Sequence, residues 1–275
     1  MVERGWRAGL ATMLGMLALL PAARAQSASA RSEPVALVTE LAGSGSVAQK
    51  PAGGELEQLH ELVPGAVITL NAGARAVIVH TASGAVYDLG GPGRYRVQPQ
   101  ALEALAGRLS RRDLPPEIRS FRLKPLSTMQ ASIVMRGSAP ARLDGPQGGV
   151  LSADELSYRI RGDVSAPSLE LLDAEGNHIA GARDAPANFN PAQATALQPG
   201  KPYIVRVKGS DSRGKPVELT SRFWLIEGDA AARLLAARPA ASASTTDLIV
   251  YSMALESAGA TATAREAWRV VNERR

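Results

Sequence analysis

The chain of 275 residues contains no cysteine, three histidines and an aromatic content of only 4%. Without a thiol there is neither a disulfide to brace the fold nor a thiolate metal site, so stability has to come from buried apolar cores. His60, His80 and His178 stand apart, with no HxxxH or HExxH spacing. A zinc site lacking cysteine would need nearly all of them plus a carboxylate, and no metal or other cofactor is expected. Long hydrophobic runs are also scarce. Beyond residue 25 no stretch approaches the ~18 uninterrupted apolar residues of a membrane span, so no transmembrane segment is expected in the mature chain. Charge of one sign is not strongly in excess: the formal net charge is +5. Arg4, Arg7 and Arg24 against Glu3 supply two of those charges, leaving +3 beyond residue 25. That mild excess gives no reason to expect a nucleic-acid partner.

What is present at the start has the form of an export leader. Met1 to Arg7 carries Arg4 and Arg7, and Ala8 to Leu20 is free of charge. Pro21 ends the run, and Ala23-Arg24-Ala25 places small residues where a signal peptidase reads them, predicting cleavage after Ala25 and a new N-terminus at Gln26. The 13 residues of the apolar run would reach roughly 20 Å as a helix, short of the ~30 Å hydrocarbon core, so a cleaved leader fits better than an anchor. The expected location is the periplasm. No cysteine follows the run, which excludes a lipid-modified N-terminal cysteine.

The remaining 250 residues are long enough for two domains with their own cores. Residues 26–33 (QSASARSE) read as a disordered polar lead. Glycines and prolines, 26 and 18 of them, then punctuate short runs rich in Val, Ile and Leu that read as strands: Val35 to Leu41, Ser46 to Gln49, Ala66 to Leu70, Ala74 to Thr81, Ala85 to Leu89 and Arg94 to Gln98. Ala76, Ile78 and His80 alternate with Val77 and Val79. Strands spaced by about ten residues suit a compact antiparallel roll or sandwich, because a parallel sheet needs a helix between each pair. Leu102, Leu105 and Leu109 have helical spacing, which predicts a helix over Gln100 to Arg112 closing a first module (34–112), and Pro115-Pro116 marks a linker (113–131).

Within that module, Leu59 to Gly93 resembles the periplasmic FecR domain, with the likeness extending over residues ~35–98. Leu62, Gly65, Ile68-Thr69, Ala76 to Val79, Gly84 and Leu89 stand where that family has a leucine, a glycine-led strand ending in Thr, and paired strands about a Gly turn. The resemblance implies a periplasmic β module and, through it, contact with a membrane signalling partner. Members that regulate sigma factors carry a cytoplasmic helical domain and a membrane helix ahead of this module. Neither precedes it here, so signalling to a sigma factor by this protein alone is not implied.

A second module, 132–226, centres on Leu197-Gln198-Pro199-Gly200-Lys201-Pro202-Tyr203 followed by the alternating Ile204 to Lys208. The pattern resembles the tyrosine corner of fibronectin type III and other immunoglobulin-like sandwiches, in which the Tyr hydroxyl bonds back to the backbone beside the preceding turn. Ser157 to Arg161, Ser168 to Leu172, His178 to Ala182 and Val217 to Leu225 read as further strands, with Phe223-Trp224 as expected core aromatics. The tail 227–275 is Ala-rich and helical, with Thr245 or Thr246 and Thr261 as N-caps and Gly259 as a C-cap. Tyr251 to Val271 resembles a tetratricopeptide-type hairpin. A lone hairpin cannot bury both faces, so it is expected to pack on the second sandwich or to offer a face to a partner. The fold class expected is therefore mainly β, two antiparallel modules with a C-terminal helical hairpin.

No residues combine into a catalytic or ligand constellation. Gly43-Ser44-Gly45-Ser46 fits a loose dinucleotide pattern, but the required helix is replaced by Gln49-Lys50-Pro51-Ala52-Gly53-Gly54, so a hairpin turn is the better reading. Asp173, Glu175 and Asn177 alternate as a calcium loop opens, without the following glycine and bidentate Glu; a hairpin turn again fits. Glu55, Glu57 and Glu61 read as a solvated loop, and no GxSxG elbow exists. Catalytic, cofactor and metal residues are thus none. Residues 94–124 hold eight basic groups against three acidic ones, a segment that suits an anionic envelope component or simply a solvated face. The reading is a non-enzymatic exported binding or scaffold protein acting on envelope or membrane-bound proteins. A soluble sensor or accessory subunit of a membrane signalling system is the alternative, and an envelope hydrolase a further one.

Overall fold

The computed structural model describes residues 32–49, 53–128 and 141–274. The leader 1–25, residues 26–31 of the polar lead and 129–131 of the predicted linker lie outside the described residues. The protein is mainly β, with antiparallel sheets and C-terminal helices, as its alternating patterns imply.

In the first module β1 (Ala36–Ala42), β6 (Arg75–His80) and β7 (Ala85–Val97) form one antiparallel layer, edged by β4 (Glu61–Leu62). β2 (Gly45–Ala48), β3 (Gly54–Glu55) and β5 (Val67–Leu70) form the other. β7 serves both, pairing β6 through residues 85–90 and β5 through 93–96. Between the layers lie Val38, Ile68, Ile78, Leu89 and Tyr95, all fully buried. The Gly43–Ser46 segment joins β1 to β2, which do not pair with each other. It is therefore a corner between layers and not the expected hairpin turn, and Gly43 adopts φ +82° against the backbone of Ala74.

The helix expected over Gln100 to Arg112 is a strand. β8 (Leu102–Asp113) runs antiparallel along the free edge of β7 for its whole length. The leucine spacing is misleading: Leu102 is buried, whereas Leu105 is 38% exposed. Pairing with β8 satisfies the row of backbone donors and acceptors that β7 would otherwise leave open, and this ladder outweighs the local periodicity. Gly107 helps, with φ +99° and space for no Cβ, since one there would sit 2.6 Å from the Tyr95 hydroxyl oxygen. That hydroxyl lies within hydrogen-bonding distance of the carbonyls of Gly90 (2.6 Å) and Arg108 (2.8 Å), stapling β7 to β8 where their register shifts.

The alternation along β6 separates two buried faces. Ala76 and Ile78 enter the core between the layers, while Val77 and Val79, with Leu37 of β1 and Val86 of β7, face the C-terminal helices. Those helices are α2 (Gly228–Ala236), α3 (Thr245–Ser257) and α4 (Thr261–Glu273). Every residue of α3 from Leu248 to Leu255 is buried, so this helix is enclosed on all sides and not amphipathic. Ser244, rather than Thr245 or Thr246, caps it, accepting from the Asp247 amide at 3.1 Å. Thr246 instead reaches the first module, 2.8 Å from the Thr39 hydroxyl and donating to Glu40 at 2.7 Å. Gly259, at φ +79°, ends α3 as expected. The segment read as a linker contributes Leu114, Ile118 and Leu123, with α1 (Pro116–Arg119), to the same core.

The second module is a β-sandwich. β10 (Gly148–Val150), β16 (Pro216–Leu225), β15 (Pro202–Ser210), β12 (Ser165–Leu172) and β13 (His178–Ala182) lie in that order in one sheet. β14 (Asn188–Phe189), β11 (Tyr158–Gly162) and β9 (Ala141–Asp144) form the other. Tyr158, Tyr203, Val205 and Phe223 fill the space between them. Tyr203, second residue of its strand, accepts a hydrogen bond from the Gln198 amide at 2.8 Å, the backward bond its sequence setting predicts. The hairpin does not pack on this sandwich alone: α4 contacts β10, while α3 contacts β1 and β6 of the first module. Leu151 and Ile226 bring the sandwich into the core that encloses α3.

Candidate functional site

A groove of about 730 Å³ opens where the sandwich meets the helices. Val150 of β10, Leu248 of α3 and Ala267 and Val270 of α4 supply apolar walls. Polar groups come from the turn at Ala153–Glu155, from Arg238 behind α2, and from Thr263 and Arg265 of α4. Its size is in the range of small-molecule and peptide-anchor sites.

Glu155 holds the three segments together. One carboxylate oxygen accepts from Arg238 at 2.7 Å; the other accepts from Thr263 at 2.5 Å and from the Leu151 amide at 3.1 Å. Three donors leave this carboxylate little capacity for anything else, so it shapes the groove. The Tyr251 hydroxyl is different. Its side chain is 5% exposed and lines the groove, yet the hydroxyl makes no hydrogen bond of proper geometry; its polar neighbour is the half-exposed Arg238 guanidinium. Burial pushes the phenol above its ordinary range against the opposing pull of Arg238, so it is a protonated donor at neutral pH. A buried hydroxyl without an acceptor is costly, and the nearby Arg238 guanidinium offsets part of that cost. The sequence reading placed Tyr251 among apolar positions and did not single out Glu155 or Arg238. The one local signal was a phenol in an otherwise apolar helix.

The other singled-out groups do not converge. Among the described residues no group of three or more His, Asp or Glu side chains is placed to hold a metal. His60 lies 3.1 Å from the Gln49 amide nitrogen, and His178 is exposed on β13. The Asp173 carboxylate accepts from the Asn177 amide and side chain at 2.8 and 2.9 Å, closing its own turn. Glu55 and Glu57 are exposed, while Glu61 accepts from the Ser127 amide at 3.0 Å. In the basic segment, Arg96 pairs with Glu103, Arg111 and Arg119 with Asp113, and Arg112 with Asp247. These carboxylates interleave the arginines and weaken the field the segment presents to an anionic surface.

His80 is fully buried, its Nε2 3.0 Å from the Gln98 carbonyl, its Nδ1 accepting from the Ser83 amide at 3.2 Å. These partners select the neutral ring carrying its proton on Nε2. Burial, aided by Arg111, holds its pKa below the ordinary histidine value despite the Gln98 bond. A folded pKa below the unfolded ~6.5 means the unfolded chain binds the proton first. Stability is therefore expected to be complete above pH ~6.5 and to fall as the pH drops below it. Urea midpoints at stepped pH values measure this, and the His80-dependent part of the slope should vanish in His80→Gln.

No family model matches the chain, and no curated protein matches it in sequence. Among solved structures, the crystal structure of CopC from Methylosinus trichosporium OB3b is similar over 31% of this chain and 92% of that one, at 20% identity and a TM-score of 0.25, a likeness too slight to carry fold or function.

Proposed function

We propose that this is an exported, non-enzymatic binding or scaffold protein of the cell envelope. Its leader directs it to the periplasm, where a FecR-like module, an immunoglobulin-like sandwich and a helical hairpin act as one body. The strand membership of the sandwich supports the immunoglobulin-like reading: the first, third and sixth strands share one sheet, and Tyr203 stands at the start of the penultimate strand. The observation that carries the binding role is the groove itself, a concave surface with apolar walls on which the polar side chains of Arg238, Glu155 and Thr263 converge.

In-cell photocrosslinking tests it, with the crosslinker placed at Asp154 on the groove rim and at Glu175 on a distant turn. A discrete adduct with an envelope protein from Asp154 alone is expected, on a chain whose N-terminus sequences as Gln26. Hydrolysis of peptidoglycan or polysaccharide by the purified protein, abolished by replacing one carboxylate, would overturn the non-enzymatic reading. Absence of any Asp154 adduct would overturn the binding role of the groove.

A further inference from the structure

We infer that the protein self-associates: β8 pairs antiparallel with β8 of a second copy about a two-fold axis at Arg108, joining the two first modules through one continuous sheet. No residue of the groove takes part.

β8 has 12 residues and no proline, and only Leu102 and Leu109 are withdrawn from solvent. Among the described residues it pairs with β7 alone, so its outer edge is a row of open backbone donors and acceptors. The neighbours fix where those groups point. The Val97 amide and carbonyl are engaged by Ala66 and Gly65, so Leu102, opposite Val97, aims its own outward, and by alternation so does Ala104. The Leu114 amide donates to Gly84 and the Arg108 carbonyl accepts from Tyr95, both on the β7 side, so the alternate residues Leu109, Arg111 and Asp113 aim outward too. Helix α3 leaves this edge open: it packs on β1 and β6, on the far side of β7, and meets β8 through the exposed Arg112–Asp247 pair.

A second copy fits because the strand is its own complement. Matching outward groups to outward groups sets Leu102 against Asp113, Ala104 against Arg111 and Gly107 against Leu109 of the other copy. The same register puts Glu103 opposite Arg112, twice by symmetry, a cross-strand pair of opposite charge. Leu105 is the odd residue, bulged as it already is against β7, where the register slips between Arg94–Ala106 and Tyr95–Ala104. The faces agree as well: Glu103 lies across from the exposed Arg96 and Arg112 across from Val86, both turned away from the core between the layers. Gly107, at φ +99°, falls one residue from the axis, so both strands kink at the same place. Sliding either strand by two residues keeps the faces matched but loses both charge pairs, and a foreign strand would gain the backbone bonds without them. Arg108 meets its own copy on the axis, a like-charge contact that limits the affinity.

Sedimentation velocity of the protein purified as the cell makes it, from about 5 to 500 µM, a range suited to an interface of this small size, should show a reversible monomer–dimer equilibrium. Glu103→Arg or Arg112→Glu alone should weaken it at least about tenfold, and the two together should restore it to within about threefold, because the charges change places. Arg108→Thr should tighten it about threefold by removing the like-charge contact on the axis. The chain has no cysteine, so Arg108→Cys, with oxidised glutathione accepting the two electrons, should form a disulfide-linked dimer, and Glu175→Cys on its distant turn should not. All these positions are exposed, and an unchanged circular dichroism spectrum shows that each variant is folded. A monomer at every concentration, a dimer indifferent to Glu103→Arg, or a double variant as weak as its parents overturns the inference. Capture of another envelope protein by Arg108→Cys in the cell, in place of its own copy, would give the edge to that protein and overturn it too.

Discussion

Leu255→Ala is expected to destabilise both β modules together, by about 2–5 kcal/mol. Leu255 lies in α3 and is fully buried, in the core that holds Leu37, Val77, Val79 and Val86 of the first module and Leu151 and Ile226 of the sandwich. Truncation there removes transfer energy and leaves a cavity, because neighbours drawn from two sheets and three helices cannot all collapse into it. Urea unfolding measures the effect through two probes: tryptophan fluorescence, reporting Trp224 of β16 and Trp268 of α4, and far-UV circular dichroism, reporting the strands of both modules. The two transitions should coincide and shift together. A first module that kept its own midpoint while the fluorescence transition moved would show that α3 does not join the modules.

The second large effect is expected at Phe223, on β16. Its ring stacks on Tyr203 at 5.6 Å and is tilted against Tyr158 at 6.2 Å, and Tyr158 in turn stacks on Phe189 at 5.6 Å. The four rings bridge the two sheets of the sandwich, and Phe223, fully buried, touches two of the others. Phe223→Ala should cost about 3–5 kcal/mol, the upper part of the range for core truncation, since it leaves a ring-sized void and removes two aromatic contacts. The same melts check it. Tyr158, whose hydroxyl donates to the Pro146 carbonyl at 2.9 Å, would lose its neighbour, and Pro146 borders the groove. Loss of less than about 1 kcal/mol would mean that the two sheets are held together elsewhere.

Much of the β architecture was legible because alternation survives burial. β1, β5, β6, β12, β13 and β16 begin and end within a few residues of their expected bounds, even on β6, where both faces are covered. β8 was not legible. Its leucines fall at helical intervals, and only the open edge of β7, a feature of the assembled sheet, selects a strand. β9, β10 and β14 have two to four residues each, too few to display a period of two. The groove was invisible for a different reason. It is assembled from residues near 150, 238, 251 and 267, none adjacent to another in the chain, so no local pattern marks it.

The bond between Thr39 and Thr246 spans 207 residues, and its consequence is one of timing. A chain emerging N-terminus first from a ribosome completes β1, β6 and β7 long before α3 exists. During that interval the Val77, Val79 and Val86 face has no cover, and contacts of such sequence separation form late. The nascent first module therefore keeps an apolar face open to water until α3 (Thr245–Ser257) arrives, and a ribosome stalled near residue 240 is expected to release a product that is degraded.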